Sequence, residues 1–208
     1  MENIEKILKE VKNEIRGFKI KEELANNFVN NHSESECLKI SKELFESNEY
    51  QIRSFVTFIL GNIAHKSKEA LFYLKNTVSK DNNWRVQEIL AKAFDKMCLN
   101  KGYEKSLPII EEWLNHENPN VRRAVTEGLR IWTGREYFNT NPMKAIKLLS
   151  NLKNDRSEYV RKSVGNALRD ISKKHKELVK KELENWKVSN KEIKQVYNLA
   201  NKFINKER

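Results

Sequence analysis

The sequence predicts an all-α protein, a solenoid of stacked helix pairs, and three observations carry that reading. The first is one phrase written four times: Tyr50-Gln51-Ile52-Arg53, Trp84-Arg85-Val86-Gln87, Pro119-Asn120-Val121-Arg122 and Glu158-Tyr159-Val160-Arg161. Its β-branched anchors Ile52, Val86, Val121 and Val160 lie about 34 to 39 residues apart. Self-similarity at that period marks helical units that each stack on their neighbours. The second is composition: 33% charged and 38% hydrophobic residues with only 6 Gly and 3 Pro suit solvated helices better than sheets. The third is apolar periodicity at helical spacing along most of the chain. The 208 residues hold one ordinary core or about five such pairs.

Each element follows in order. Ile4, Ile7, Leu8, Val11 and Ile15 fall on one helical face, with Gly17 as the stop. Leu24, Phe28 and Val29 mark a short second helix, and Ser33 caps a third that runs to Ser47. From Tyr50 the pattern is regular. Helices near 49–65, 83–98, 119–132 and 157–173 are the second members of their pairs. Those near 67–80, 103–115, 142–153 and 175–186 open the next pairs, and a helix over 189–205 closes the stack with Val196, Leu199 and Phe203. Pro119 and Pro142 suit the first turns of their helices. Gly61, Gly128 and Gly165 fall inside helices, where glycine costs about 1 kcal/mol. That cost implies close helix contact, or a backbone approached by a ligand. The chain reads as a single domain over 1–208, with regular repeats over about 45–190 and the helices of 1–45 as a cap.

The net charge of +11 is unevenly placed. Residues 1–50 carry 8 Lys/Arg against 11 Asp/Glu, and the remainder 32 against 18. A basic body with a mildly acidic front suggests a polyanion partner, although solubility alone also favours net charge. Cys37 and Cys98 lack metal-ligand spacing, which argues against a disulfide framework and for a reducing compartment. No apolar run is long enough for a signal peptide or a membrane span. A cytoplasmic monomer is expected, with no membrane association, no metal and no small-molecule cofactor.

Within each repeated helix the anchor and the positions 3, 4, 7 and 8 beyond it should face the core. They read Val121, Ala124, Val125, Gly128, Leu129 and Val160, Ser163, Val164, Ala167, Leu168. The positions 2 before, 2 after and 6 after the anchor form a separate stripe spaced by four. Repeat by repeat it reads Tyr50, Ser54, Phe58; Trp84, Glu88, Lys92; Pro119, Arg123, Glu127; Glu158, Lys162, Asn166. Second helices line the concave groove of such solenoids, so the stripe faces a ligand in this reading. The residue just past each anchor is Arg53, Gln87, Arg122 or Arg161, and Ser47, Asp81, His116 or Asp155 lies five before the anchor. Arginine and aspartate at that spacing resemble the structural ladder of HEAT repeats, so these arginines are assigned mainly to the frame.

Trp84 and Glu88 form the sharpest constellation. An indole face with a carboxylate one turn later suits a flat cation, or a reaction that develops positive charge. Glu127 falls on the same stripe one repeat on, and Trp132 ends that helix. Around them lie Lys92, Arg123, Arg130, Arg135, Lys162 and Arg169. The plainer alternative has Trp84 closing its helix against the core and Glu88 paired with Lys92. His32, His65, His116 and His175 are isolated, and there is no phosphate-cradling glycine loop or nucleophile elbow.

Three stretches carry a resemblance: Asn82 to Glu88, Val121 to Gly128 and Ser157 to Asn166. They are similar to the HEAT-like DNA alkylation repair family of AlkC and AlkD, over roughly residues 45–190. The resemblance implies a right-handed superhelix of HEAT-like repeats with a basic concave groove for double-stranded DNA. It implies DNA glycosylase activity, the hydrolysis of N-glycosidic bonds, on cationic N3- and N7-alkylated purines. The family also holds members that bind unusual DNA structures and show no such activity. By the resemblance Trp84 and Glu88 match the tryptophan and catalytic acid of AlkD-like enzymes, with Glu for Asp, and Arg123 matches an arginine on the DNA backbone. Acids at Glu88 and Glu127 match AlkC-like enzymes. Asn166 stands where AlkD-like enzymes carry a second groove tryptophan, which leaves Trp132 as a substitute. The family contacts the lesion's sugar and backbone from outside rather than extruding the base.

The expectation is therefore an alkylpurine DNA glycosylase, nucleoid-associated if bacterial. Glu88 is its main carboxylate, Glu127 a support, and Trp84 and Trp132 contact the lesion. Arg123, Lys92, Lys162 and Arg169 hold phosphates, with Arg130 and Arg135 beside them. The rivals are a non-catalytic binder of damaged or branched DNA, which Asn166 favours, and a protein-interaction scaffold.

Overall fold

A computed structural model describes residues 4–15 and 17–204, apart from the side chains of Ile131 and Trp132. Every regular element among the described residues is helical, and they form HEAT-like helical repeats. The chain divides into two units, Met1–Gly102 and Tyr103–Arg208.

The first unit holds α1 (Ile4–Asn13), α2 (Lys19–Asn31), α3 (Glu34–Phe45), α4 (Tyr50–Ile63), α5 (Lys68–Asn76) and α6 (Trp84–Lys101). Ser33 caps α3 through a complete capping box with Glu36, which satisfies two of the amides that a helix start leaves free. Helix α1 stops at Asn13, earlier than the apolar spacing suggests, and Ile15 is 64% exposed. Gly17 follows with φ +136, a backbone conformation open to glycine and strained for other residues. Helix α2, at 13 residues, is longer than expected. Helix α4 is buried along most of its length, and its Gly61 explains the tight packing. A Cβ there would stand 2.6 Å from the Cα of Ala93 on α6. The two helices therefore meet backbone to backbone.

The second unit holds α7 (Leu107–Leu114), α8 (Pro119–Trp132), α9 (Glu136–Thr140), α10 (Pro142–Ser150), α11 (Glu158–Ser172), α12 (Lys176–Glu184) and α13 (Lys191–Ala200). The anticipated core face is buried throughout: Val121, Ala124, Val125, Gly128 and Leu129 on α8, and Val160, Ser163, Val164, Ala167 and Leu168 on α11. Burying each larger apolar side chain contributes about 1.5 to 3 kcal/mol. Gly165 repeats the device of Gly61, since a Cβ there would lie 2.6 Å from Cβ of Leu199 on α13. Helix α9 was not anticipated. It forms because Phe138 is buried edge-on against Tyr103, with ring centroids 5.8 Å apart.

The arginine ladder is built across repeats. Arg53 donates to Asp81 through Nε at 2.6 Å and to the carbonyls of Ser47 and Asn48. Arg122 donates to Asp155 at 2.7 and 2.8 Å and to the carbonyls of His116 and Glu117. Each guanidinium thus ties its own preceding loop to the loop of the next repeat. Arg161 keeps the loop contacts, to Asp155 and Arg156, but meets the Gln195 amide oxygen instead of a carboxylate. Gln87, the odd member, donates to the carbonyls of Val78 and Asp81.

Candidate nucleic-acid interface

In the first unit, Trp84 begins α6 and Glu88 lies one turn on. Asn83 caps that start by accepting from the Arg85 amide. Trp84 is 61% exposed, so it does not close the helix against the core. Both residues line an open cleft of about 230 Å³ together with Phe18, Lys21, Tyr50 and Arg85. That is below the roughly 300 to 1,000 Å³ of pockets for drug-sized ligands and suits a single flat ring system. Lys92, the third stripe residue on α6, stands 4.0 Å over the ring of Phe18.

The stripe is not open along its whole length. Ser54 and Phe58 are buried, and the connection between α1 and α2 lays Phe18 near Phe58, centroids 6.4 Å apart. That connection is pinned twice. Lys21 donates to the carbonyls of Glu14 at 2.6 Å and Gly17 at 3.0 Å, and the Tyr50 hydroxyl donates to the carbonyl of Ile15 at 3.3 Å. Burial, with Arg85 close by, pushes the Lys21 amine below the usual lysine range despite the opposing pull of Glu14. The N-terminal segment therefore supplies one wall of the cleft through Phe18 and Lys21. Sequence reasoning missed Phe18, Lys21 and Arg85. A signal existed for one of them, since Lys21 shares a helical face with the buried Ala25 and Phe28.

The second unit carries the remaining expected residues in a different state. Glu127 meets the Arg130 guanidinium at 2.8 Å and lies 3.9 Å from Arg123. Arg130 also holds Asp170 at 3.0 Å, and Asp170 is shared with Arg169 and Lys173. Burial alone would lower the Arg130 pKa, yet the Glu127 and Asp170 carboxylates hold it above the usual arginine value. Burial alone would raise the Asp170 pKa, yet Lys173 and Arg130 hold it below the usual aspartate value. Lys162 pairs with Glu158 at 2.7 Å, and Arg169 stands over Phe203 at 6.0 Å. Arg123 stands over Tyr159 at 5.7 Å. Arg135 forms the N-cap of α9, and Asn166 is half-buried on α11. Trp132 ends α8, and its side chain lies outside those described. No helix among the described residues is long and apolar enough to cross a membrane.

Comparison with known proteins adds the family. The AlkD2 crystal structure from Streptococcus mutans is 51% identical with a TM-score of 0.94, covering 98% of each chain. The Pseudomonas fluorescens alkylpurine DNA glycosylase AlkC, solved with DNA containing an abasic-site analog, shares the fold. It is 22% identical with a TM-score of 0.71, covering 96% of this chain and 57% of that one. The Bacillus subtilis protein YhaZ is 38% identical over 87 residues, a match spanning 40% of this chain and 24% of that protein. The family described as DNA alkylation repair enzyme matches residues 2–200, and the chain belongs to that family.

Proposed function

We propose that the chain is a DNA-binding alkylation repair protein that excises cationic N3- or N7-alkylated purines from double-stranded DNA. The observation that carries this reading is the exposed Trp84 beside Glu88 on the wall of one cleft. The exposed indole already attracts a planar cation, the Arg85 guanidinium at 4.5 Å, and an alkylated purine is likewise a flat cation that an aromatic face attracts by about 0.5 to 2 kcal/mol. Membership of the family supports an alkylation repair role, and the DNA with an abasic-site analog on AlkC supports DNA as the partner.

The chemistry asks little of an acid. Alkylation leaves the purine positively charged, so the base departs with the electrons of the glycosidic bond as a neutral molecule. The sugar left behind is an oxocarbenium-like cation. Glu88 lowers the energy of that cation electrostatically and orients the water that attacks it. Trp84 stacks against the lesion nucleotide, while Arg123 contacts the phosphate backbone from its own unit.

The test is release of free base from duplex DNA carrying N7-methylguanine or N3-methyladenine. Wild type should release the base, and Glu88→Gln should slow release by about a hundredfold to a thousandfold with duplex affinity nearly unchanged. Equal loss of binding and release would instead make Glu88 a structural residue. The second reading is a non-catalytic binder of damaged or branched DNA. It is favoured by Asn166 and by the engagement of Glu127 with Arg130. Tight binding with no release by either form would select it.

A further inference from the structure

Lys21 is 2% exposed, and its amine donates to the carbonyls of Glu14 at 2.6 Å and Gly17 at 3.0 Å. A lysine buried this deeply normally touches a carboxylate, because an ammonium taken out of water is costly to leave unpaired. Here the bonded acceptors are neutral carbonyls, which accept from an amine as well as from an ammonium. Burial pushes the amine below the usual lysine range, Arg85 adds to that effect, and Glu14 opposes it. A lysine that sheds its proton in a desolvated site is a nucleophile toward carbonyl carbons. The two backbone carbonyls take both N–H groups of the neutral amine, and the lone pair occupies the remaining place on nitrogen. Lys21 also lines the cleft that holds Glu88. Its acceptors belong to the connection between α1 and α2, so a local motion of that connection and of the long side chain frees the amine without opening the core.

We propose that Lys21 gives the chain a second activity, an abasic-site lyase that cuts the DNA strand after a base has been lost. The proposal rests on the repair reading for the origin of the abasic site, while the reaction itself needs only an abasic site made in advance. The abasic sugar opens to an aldehyde at C1′. The Lys21 lone pair attacks that carbon, and the carbonyl oxygen leaves as water, which gives an iminium between Nζ and C1′. The positive nitrogen acidifies the C2′–H, and Glu88, on the wall of the same cleft, accepts that proton. The electrons left on C2′ form the C2′=C3′ double bond. The C3′–O bond breaks, and the 3′ phosphate departs with its electron pair. Water then adds to the iminium, releases the unsaturated aldehyde and restores the amine. No oxidant or reductant enters the sequence. Every reacting atom belongs to the sugar and its phosphate, so no base has to be extruded.

The test is reductive trapping. The full chain is mixed with a short duplex carrying one abasic site made in advance, in the presence of cyanoborohydride, which reduces the iminium to a stable secondary amine. We expect a covalent protein–DNA adduct, and mass spectrometry of its peptides should place the link on Lys21. Without the reductant, the strand should be cut on the 3′ side of the abasic site, leaving an unsaturated aldehyde end. Lys21→Arg keeps a donor for the two carbonyls but has no nucleophilic amine, so trapping and cutting should both be lost while the abasic duplex is still bound. Glu88→Gln should still be trapped, because the iminium forms before the proton is removed, and should cut slowly. No adduct with wild type overturns the proposal, and so does an adduct on another amine that survives in Lys21→Arg. Should Lys21→Arg fail to fold, the position of the wild-type adduct still decides. Base release from methylated duplex with no trapping sinks only the lyase. Trapping on Lys21 with no release from methylated duplex sinks the glycosylase reading and keeps the lyase.

Discussion

Arg122, one residue past its anchor, is 5% exposed and holds Asp155 at 2.7 and 2.8 Å. Arg123, the next residue, stands over Tyr159 at 5.7 Å and lies 3.9 Å from Glu127. Both are arginines on α8, turned about 100° apart by the helix. One faces the seam between consecutive loops, where each guanidinium nitrogen has a fixed acceptor. The other lies on the stripe, among groups that a ligand can reach. The contrast shows why net charge alone is a poor guide to a polyanion site. Arg53, Arg122, Arg130 and Arg161 contribute to the total of +11, yet each is engaged within its own unit.

The largest effect should come from the frame. Arg122→Ala leaves the Asp155 carboxylate buried without its guanidinium and removes the donor from the carbonyls of His116 and Glu117. Breaking a buried pair from one side costs about 3 to 5 kcal/mol. Urea unfolding of the variant should show that loss, and restoring a lysine should recover only part, because lysine lacks the fork that reaches carboxylate and carbonyls together. A loss below about 1 kcal/mol would erase the distinction between the two arginines.

The frame and half of the site were legible in the sequence for one reason, which is periodicity. The phrase repeated at 34 to 39 residues places Val121, Val125 and Leu129 on one face, and those residues are buried. The same count puts Trp84 and Glu88 one turn apart on a helix lining the cleft. The ladder was legible as well, although its carboxylate comes from the following repeat, a detail that spacing within one repeat does not encode. Phe18 was illegible because the 14–18 connection has no period, and its ring lands beside Phe58, 40 residues away. Arg85 was illegible because its slot lies outside both the core face and the stripe. The engagement of Glu127 was half visible. Its i+3 neighbour Arg130 is in reach on any helix, but Asp170 comes from α11 and completes the network only in three dimensions.

A smaller effect should follow from the helix contact that positions the stripe. Gly61→Ala puts a methyl 2.6 Å from the Cα of Ala93, so α4 and α6 must separate. Overpacking of this kind costs about 1 to 3 kcal/mol, more than the gain of about 1 kcal/mol in helix propensity. The strain falls on α6, which carries Trp84 and Glu88. Base release should therefore drop further than stability, since small misplacements of a catalytic group are expensive in rate. Thermal unfolding and base release measured on one preparation would separate the two. A variant as active as wild type would show that the α4–α6 contact sets stability alone.

The smallest change in stability, and the most informative about function, belongs to Arg123→Ala. Glu127 keeps Arg130 at 2.8 Å, so its carboxylate is not stranded, and unfolding should shift by less than in Arg122→Ala. On DNA the same substitution should remove the phosphate contact proposed for Arg123. Affinity should fall for damaged and undamaged duplex alike, and the slope of log affinity against log salt should drop by about one. Arg122→Ala, measured where it is still folded, should leave that slope unchanged. If the two variants altered the slope equally, the stripe would hold no privilege over the ladder, and the basic surface would act on DNA through its total charge. If only Arg123→Ala altered it, position on the helix face, one residue and about 100° from a buried neighbour, would be what turns an arginine from frame into contact.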